Sequence, residues 1–333
     1  MRKKKKTIFL TIILAAICAA VFVLVKSVPI QTPKVYGVTF SVFYAEEFGL
    51  DWKKTYTALF EDLGIRNVRI SAYWNDTEKL LNQYDFTKLD WQVDEAKRHG
   101  ATIILAMGQK LPRWPECHVP EWAFKLSPDE RKKALFGYIT AVVNRYKDRD
   151  NITIWQVENE PFLPFGDCKD KPSQWLDEEI ALVKSLDASR PVMVTDSGEL
   201  SLWIKAAKRS DIFGSTMYRS VYNKIFGYIT YPLPPSFFRL KRTITELAAG
   251  KKPMIIVELQ GEPWSREATH QLSVDDHYKT MNPEMFRDIL EYSSKTGFDT
   301  FYLWGAEWWY WLKTTQNDTR MWDIAKEAIA KTN

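Results

Sequence analysis

The chain has 333 residues, 45% of them apolar, and a formal net charge of +4. Arg2 and Lys3 to Lys6 carry +5 of that charge, so everything after them stands at −1. No basic stripe is left to neutralise phosphates, which excludes a nucleic-acid partner, and the length fits two average domains or one α/β barrel of roughly 250 residues.

In chain order, residues 1–6 form a basic N-terminus, "MRKKKK", expected to stay cytoplasmic. Thr7 to Val25 follows as 19 residues without a charge, enough to cross a bilayer core of about 30 Å as a helix. A cleaved signal is the competitor, but its apolar region usually runs about 7–15 residues, and here the run continues past Ala19 and Ala20. The expectation is a membrane partner: an uncleaved transmembrane signal anchor at 7–25, with Cys18 as a lipid-buried thiol. Residues 26–34, "KSVPIQTPK", read as a short Pro-containing linker, and 35–333 as one extracytoplasmic, membrane-anchored domain.

Within that domain, short apolar runs rich in β-branched residues alternate with helical patterns. The runs are "VYGVTF", "NVRIS", "TIILAM", "ITIWQV", "VMVT", "IFGSTM", "MIIV" and "TFYLW", eight in all and mostly unbroken, as expected of parallel strands buried on both faces. Between them, "DWKKTYTALFEDLG" stops at Gly64, "SPDERKKALFGYITAVVNRY" opens on a capping box at Ser127 and Glu130 with Pro128 at the first helical position, and "NPEMFRDILEYSSKTG" opens on Asn282 and Pro283. Eight β/α alternations predict a closed (β/α)8 TIM barrel preceded by the one transmembrane helix. An open doubly wound sheet is the alternative, weakened because no Gly-rich loop follows the first strand.

In such a barrel the site lies at the C-terminal ends of the strands. The fourth strand runs into Glu158-Asn159-Glu160-Pro161, the seventh into Glu258, the sixth into Met217-Tyr218-Arg219, the eighth ends on Trp304, and the second carries Arg69. A carboxylate closing a buried run costs desolvation unless it is paired or functional. Glu160 and Glu258 would face each other across the mouth, and two opposed carboxylates are what glycosidic cleavage needs, one to protonate the leaving oxygen and one to attack or to activate water. Glu158 and Glu262 read instead as salt-bridge partners in loops.

"WQVENEP" followed by "IIVELQGEPW" resembles the catalytic pair of clan A glycoside hydrolases, and "YWNDTE…YDFTKLDW" resembles the second-strand region of family 5 and family 42 enzymes. The resemblance spans roughly Val35 to Trp311. It implies a retaining mechanism in which Glu160 is the acid/base and Glu258 the nucleophile. It further implies that Asn159 binds the sugar 2-hydroxyl, that Arg69 and Tyr218 hold the nucleophile, and that Trp304 floors the sugar site.

Trp74, Trp114, Trp264, Trp304, Trp308 and Trp309 fall at strand ends or in the loops after them, where flat rings could stack on sugars. About half of them are expected to do so, and Trp74, Trp264 and Trp304 are taken as substrate contacts. The four histidines have no metal spacing, so no metal and no cofactor is called for. Cys117 and Cys168 follow the third and fourth strands, neighbours in a barrel, and in an oxidising compartment they are expected to form a disulfide. Residues 225–238 make an unusually apolar loop that packs over the rim, walls the cleft or touches the membrane. The expected partner is an oligo- or polysaccharide. A carbohydrate-binding pseudoenzyme and a cell-surface transglycosylase remain as alternatives on the same barrel.

Overall fold

A computed structural model of the protein describes residues 33–332. The basic N-terminus, the expected anchor at 7–25 and nearly all of the linker lie outside the described residues. Among those described, no helix is long and apolar enough to cross a membrane.

Eight parallel strands close a barrel: β1 (Val35–Thr39), β2 (Asn67–Ser71), β3 (Thr102–Met107), β4 (Ile152–Val157), β5 (Val192–Asp196), β6 (Ile212–Met217), β9 (Met254–Gln260) and β10 (Thr300–Trp304). The last strand pairs with the first, Val35 opposite Thr300 and Thr39 opposite Trp304. Between β6 and β9 the chain inserts an antiparallel hairpin, β7 (Ser220–Asn223) and β8 (Gly227–Thr230). The apolar loop foreseen at 225–238 therefore divides into the hairpin tip and β8, an irregular link at 231–234 and the start of the helix Pro235–Ala249. Ile225 and Phe226 stand exposed at the hairpin tip.

The helices start and stop where local chemistry tells them to. Trp52–Glu61 is capped by the Asp51 carboxylate on the Lys53 and Lys54 amides. Pro128–Tyr146 has the complete capping box, with Ser127 and Glu130 bonding reciprocally. Pro283–Ser294 is capped by Asn282. One run gave no periodic signal: "GAEWWYW" forms the helix Ala306–Thr315, and Trp308 and Trp309 are fully buried within it.

The barrel interior is layered. Below sits an apolar plug of Ile104, Met193, Ile255, Val257 and Tyr302. Gly37 makes room for it, because a Cβ there would lie 2.6 Å from the Tyr302 ring. Above it the inward side chains turn polar: Thr39, Arg69, Gln156, Thr195, Thr216 and Glu258 are all buried. That change from an apolar plug to a polar floor, at the C-terminal ends of the strands, marks where a site is built.

Candidate active site

Arg69 organises the floor. Its side chain projects from β2 and is fully buried. Nε donates to Gln156 Oε1 at 2.7 Å, Nη1 to Glu258 Oε1 at 2.8 Å and Nη2 to Asn159 Oδ1 at 2.7 Å. One guanidinium thus fixes β4, the loop after it and β9 in a single plane. A buried cation left unpaired would be costly, so the ion pair with Glu258 stabilises Arg69 as much as it positions the carboxylate. The second oxygen of Glu258 accepts from the Tyr218 hydroxyl at 2.9 Å. Glu258 therefore has a donor on each oxygen and is only 5% exposed.

Glu160 is presented differently. The backbone turns through positive φ at Glu158 (59°) and again at Glu160 (45°), a region that costs a non-glycine residue roughly 1–3 kcal/mol. The turn is pinned on every side. Glu158 accepts from the Gln109 and Lys110 amides, Thr195 Oγ1 stands 2.8 Å from the Glu160 nitrogen, and Lys110 Nζ donates to the carbonyls of Glu160 and Leu163. The Glu160 carboxyl accepts from Thr216 Oγ1 at 3.1 Å. Burial first, and then the charge of Glu258, hold it well above the usual carboxyl range. One carboxylate is ion-paired and the other favours its proton.

Glu158 is not the loop salt-bridge partner expected from the sequence. It is wholly buried, it accepts from two backbone amides, and Glu179, also wholly buried, is close enough to act on its charge. Burial raises both carboxyls, Glu158 to about 8 and Glu179 well above the usual carboxyl range, the latter with the added charge of Glu158. Glu262 is an ion-pair partner, as expected, but a buried one. Arg113 bonds it and also Glu307, at 3.1 Å, and the guanidinium lies 3.6 Å from the Tyr44 ring centroid and 3.8 Å from that of Trp304. Trp304 thus has a cation against its ring and is 7% exposed.

Of the residues singled out in the sequence, Arg69, Asn159, Tyr218 and Glu258 form one bonded cluster, with Glu160 beside the charge of Glu258, and Trp304 lies in the same cluster as Tyr218, with Trp264 packed on it. Trp74 does not join them. It is fully buried, its indole N–H bonds Glu78 Oε2 at 2.7 Å, and its ring packs between Trp122 and Tyr138. The strand-end position is right, but the short helix Trp74–Thr77 turns the ring into the layer between barrel and helices, so the substrate contact expected of it is corrected to a core role.

Trp264 heads a line of rings. It meets Tyr218 edge-on at 5.0 Å, Phe165 packs against it at 5.7 Å, and Trp114 meets Phe165 at 6.3 Å. Trp114 is 67% exposed. The line starts at the hydroxyl that bonds Glu258 and ends in solvent. Its outer part is tied down by the Cys117–Cys168 disulfide, as expected, with Cα atoms 5.2 Å apart, and by Asp167 N–H donating to the Pro115 carbonyl. Phe165, Arg113, Glu307 and Glu116 escaped the sequence reading. Each sits in a loop or a non-periodic aromatic run, and only the Cys117/Cys168 spacing marked that region as structured.

The cellulase family model, glycosyl hydrolase family 5, matches residues 31–226, which include Arg69, Asn159, Glu160 and Tyr218 but end before Glu258. Among curated proteins, mannan endo-1,4-beta-mannosidase 8 of Oryza sativa subsp. japonica is 27% identical over 181 residues, covering 48% of this chain and 46% of that protein. Mannan endo-1,4-beta-mannosidase 7 of Arabidopsis thaliana is 26% identical over 195 residues, covering 45% of each. The match takes in less than half the length of either relative. Among solved structures, the beta-galactosidase of Halorubrum lacusprofundi superposes with a TM-score of 0.60 at 14% identity, covering 90% of this chain and 58% of that one. Xylanase 10B of Thermotoga maritima gives 0.58 at 16%, covering 92% and 97%. At these identities the structures speak to the barrel fold.

Proposed function

The chain belongs to glycosyl hydrolase family 5, and from that premise we propose that it is a retaining glycosidase that cleaves β-linked polysaccharide by double displacement between Glu160 and Glu258. The observation that carries the reading is the asymmetry of the two carboxyls. Glu258 is held by Arg69 and Tyr218 with a donor on each oxygen, a geometry suited to an ionised nucleophile. Glu160 is buried beside that charge and favours its proton, which suits a general acid.

In the first step Glu160 protonates the glycosidic oxygen while Glu258 attacks the anomeric carbon, and the leaving chain departs with the proton. The glycosyl ester that forms removes the charge of Glu258. The charge that raises Glu160 is then gone, and Glu160 can accept a proton from the water that attacks next. Asn159, fixed by Arg69 on its carbonyl oxygen, keeps an amide hydrogen for the sugar. Hydrogen bonds to the sugar 2-hydroxyl are the ones that strengthen in such transition states.

The named relatives are mannan endo-1,4-beta-mannosidases, so β-1,4-mannan is the first substrate to try. The ring line from Tyr218 to Trp114 supports a chain-like substrate lying across several sugars. Residues 7–25 are proposed to anchor the enzyme with its barrel outside the cytoplasm. Carbonate-resistant membrane association and protease accessibility of the barrel in intact cells check that.

The test of the activity is a panel of β-mannan, cellulose, xylan and aryl glycosides assayed with the wild type, Glu258→Ala and Glu160→Ala. Glu258→Ala should abolish turnover. Glu160→Ala should slow polysaccharide cleavage by about 10²–10⁴-fold but much less for an activated aryl leaving group, with azide restoring rate and giving a glycosyl azide of retained configuration. A Glu160→Ala variant that cleaves every substrate at the wild-type rate would refute the assignment.

A further inference from the structure

The two-glutamate reading leaves a third carboxyl at the pocket without a task. Glu116 stands in the loop after β3, between Pro115 and Cys117, and is 9% exposed. Its backbone is held at φ +72°. Its own N–H donates to the Arg113 carbonyl, its carbonyl accepts from Leu111 N–H, and the neighbouring cysteine is locked to Cys168. Gly166 closes the side, since a Cβ there would lie 2.5 Å from that of Glu116. The side chain is thus aimed by a backbone fixed on all sides, in a region of φ that a glutamate rarely adopts.

What it is aimed at decides the reading. Asn159 hydrogen-bonds to the Glu116 side chain, and Lys110, Glu258 and Arg69 surround it closely enough to act on its charge. Yet Oε2 is buried and has no hydrogen-bond partner. Lys110, whose charge acts on it, gives its bonds to the carbonyls of Glu160 and Leu163 instead. Burial pushes the carboxyl up to about 8, with Lys110 opposing, Glu258 adding to the shift and Asn159 opposing. A buried, unpartnered carboxyl oxygen is expensive in a native protein and calls for an explanation. A structural carboxylate placed to hold the loop would have used that oxygen.

The position follows from Arg69. Nη1 holds Glu258 and Nη2 holds Asn159, so the attacking carboxylate and the Asn159 amide stand one guanidinium apart. A sugar whose anomeric carbon faces Glu258 turns its next carbon toward Asn159 and the carboxyl bonded to it. We propose that Glu116 is a specificity-determining substrate-binding residue that, together with Asn159, grips the hydroxyl on the carbon next to the anomeric centre. A hydroxyl is one donor and an acceptor: Asn159 donates to it and Glu116 closes the pair through its unpartnered oxygen. Two partners fixed in direction distinguish an axial from an equatorial hydroxyl, where one alone would tolerate both. A site built to bond a hydroxyl also rejects a sugar that lacks it, because its own buried polar groups are then left unpaired. This inference rests on the glycosidase reading above.

The experiment compares the full-length wild type in detergent with Glu116→Ala and Glu116→Gln. Each is assayed on whichever of mannohexaose, cellohexaose and xylohexaose the wild type cleaves fastest, and on the 2-deoxy-2-fluoro glycosyl fluoride of that same sugar, which has fluorine where the hydroxyl would be. For Glu116→Ala, the ratio of kcat/KM on the hexaose to the inactivation rate constant of the fluoro reagent should fall by about 30-fold. Glu116→Gln, which keeps a polar group on Asn159, should fall less. Equal loss on both compounds, or no loss on either, overturns the proposal and leaves Glu116 a loop residue. If Glu116→Ala does not fold, Glu116→Gln decides by the same ratio, an unchanged ratio being the overturning result. A wild type that neither cleaves a hexaose nor reacts with its fluoro analogue overturns the glycosidase reading itself, and this inference with it.

Discussion

Glu160 takes its character from its neighbour. Burial alone would raise its carboxyl, but the charge of Glu258 adds to the shift. Replacing Glu258 by Gln removes that charge, and the pKa of Glu160 should then fall. Carbon NMR of side-chain-labelled glutamate, read as a difference against Glu160→Gln, measures it; an unchanged or higher value would mean that burial is the whole cause. Tryptophan separates just as sharply by position. Trp74→Ala should cost about 3–5 kcal/mol of stability, the usual cost of emptying a buried aromatic site, because the ring packs between Trp122 and Tyr138. Trp264→Ala should leave the unfolding midpoint nearly untouched and raise KM on long substrates, because its ring belongs to the line that leads to exposed Trp114. Urea melts and steady-state kinetics on the two variants check both, and an equal stability loss would contradict the division. The sequence could not make it, since a large flat ring at a strand end suits a core layer as well as a sugar face.

Among the elements, the barrel strands were legible because parallel strands buried on both faces read as apolar runs, and all eight runs lie within a few residues of β1–β6, β9 and β10. The helices with caps were legible for the same local reason. The hairpin β7–β8 and the helix Ala306–Thr315 were not, because their sequences are apolar without a period. At the site, the strand-borne groups were found from position alone, whereas Arg113, Glu116 and Phe165 come together only through loop geometry: positive φ at Arg113 and Glu116, and the covalent tie between the loops after β3 and β4. That tie spans 51 residues, and removing it by Cys117→Ser with Cys168→Ser should cost roughly 2–4 kcal/mol. It should also raise KM through Trp114 and Phe165. An unchanged urea midpoint would contradict a stabilising role.

For the whole molecule, the buried carboxyls set the response to pH. Burial lifts Glu116, Glu158 and Glu199 to about 8 and Glu307 to about 7. The folded chain therefore keeps protons that the unfolded chain releases above about 4.5. The stability this supplies is complete below that pH and is lost as pH climbs through about 8. Asp51, Asp62 and Asp90 are shifted the other way by their amide or cationic partners, after some loss to burial, and their contribution disappears as pH falls below about 4. The melting temperature should accordingly be higher at pH 5.5 than at pH 8.5, and calorimetry across that range reads it directly. A flat or rising curve would mean that these carboxyls are ionised in the folded protein.

The central claim is that Glu258 bonds covalently to the sugar while Glu160 moves the proton. Incubating the wild type with the 2-deoxy-2-fluoro glycosyl fluoride of its preferred sugar and mapping the digest by mass spectrometry tests it most directly. The account predicts one added glycosyl unit on the peptide containing Glu258, absent from Glu258→Gln. A label on another residue, or turnover of the natural substrate with inversion and no adduct at all, would contradict it.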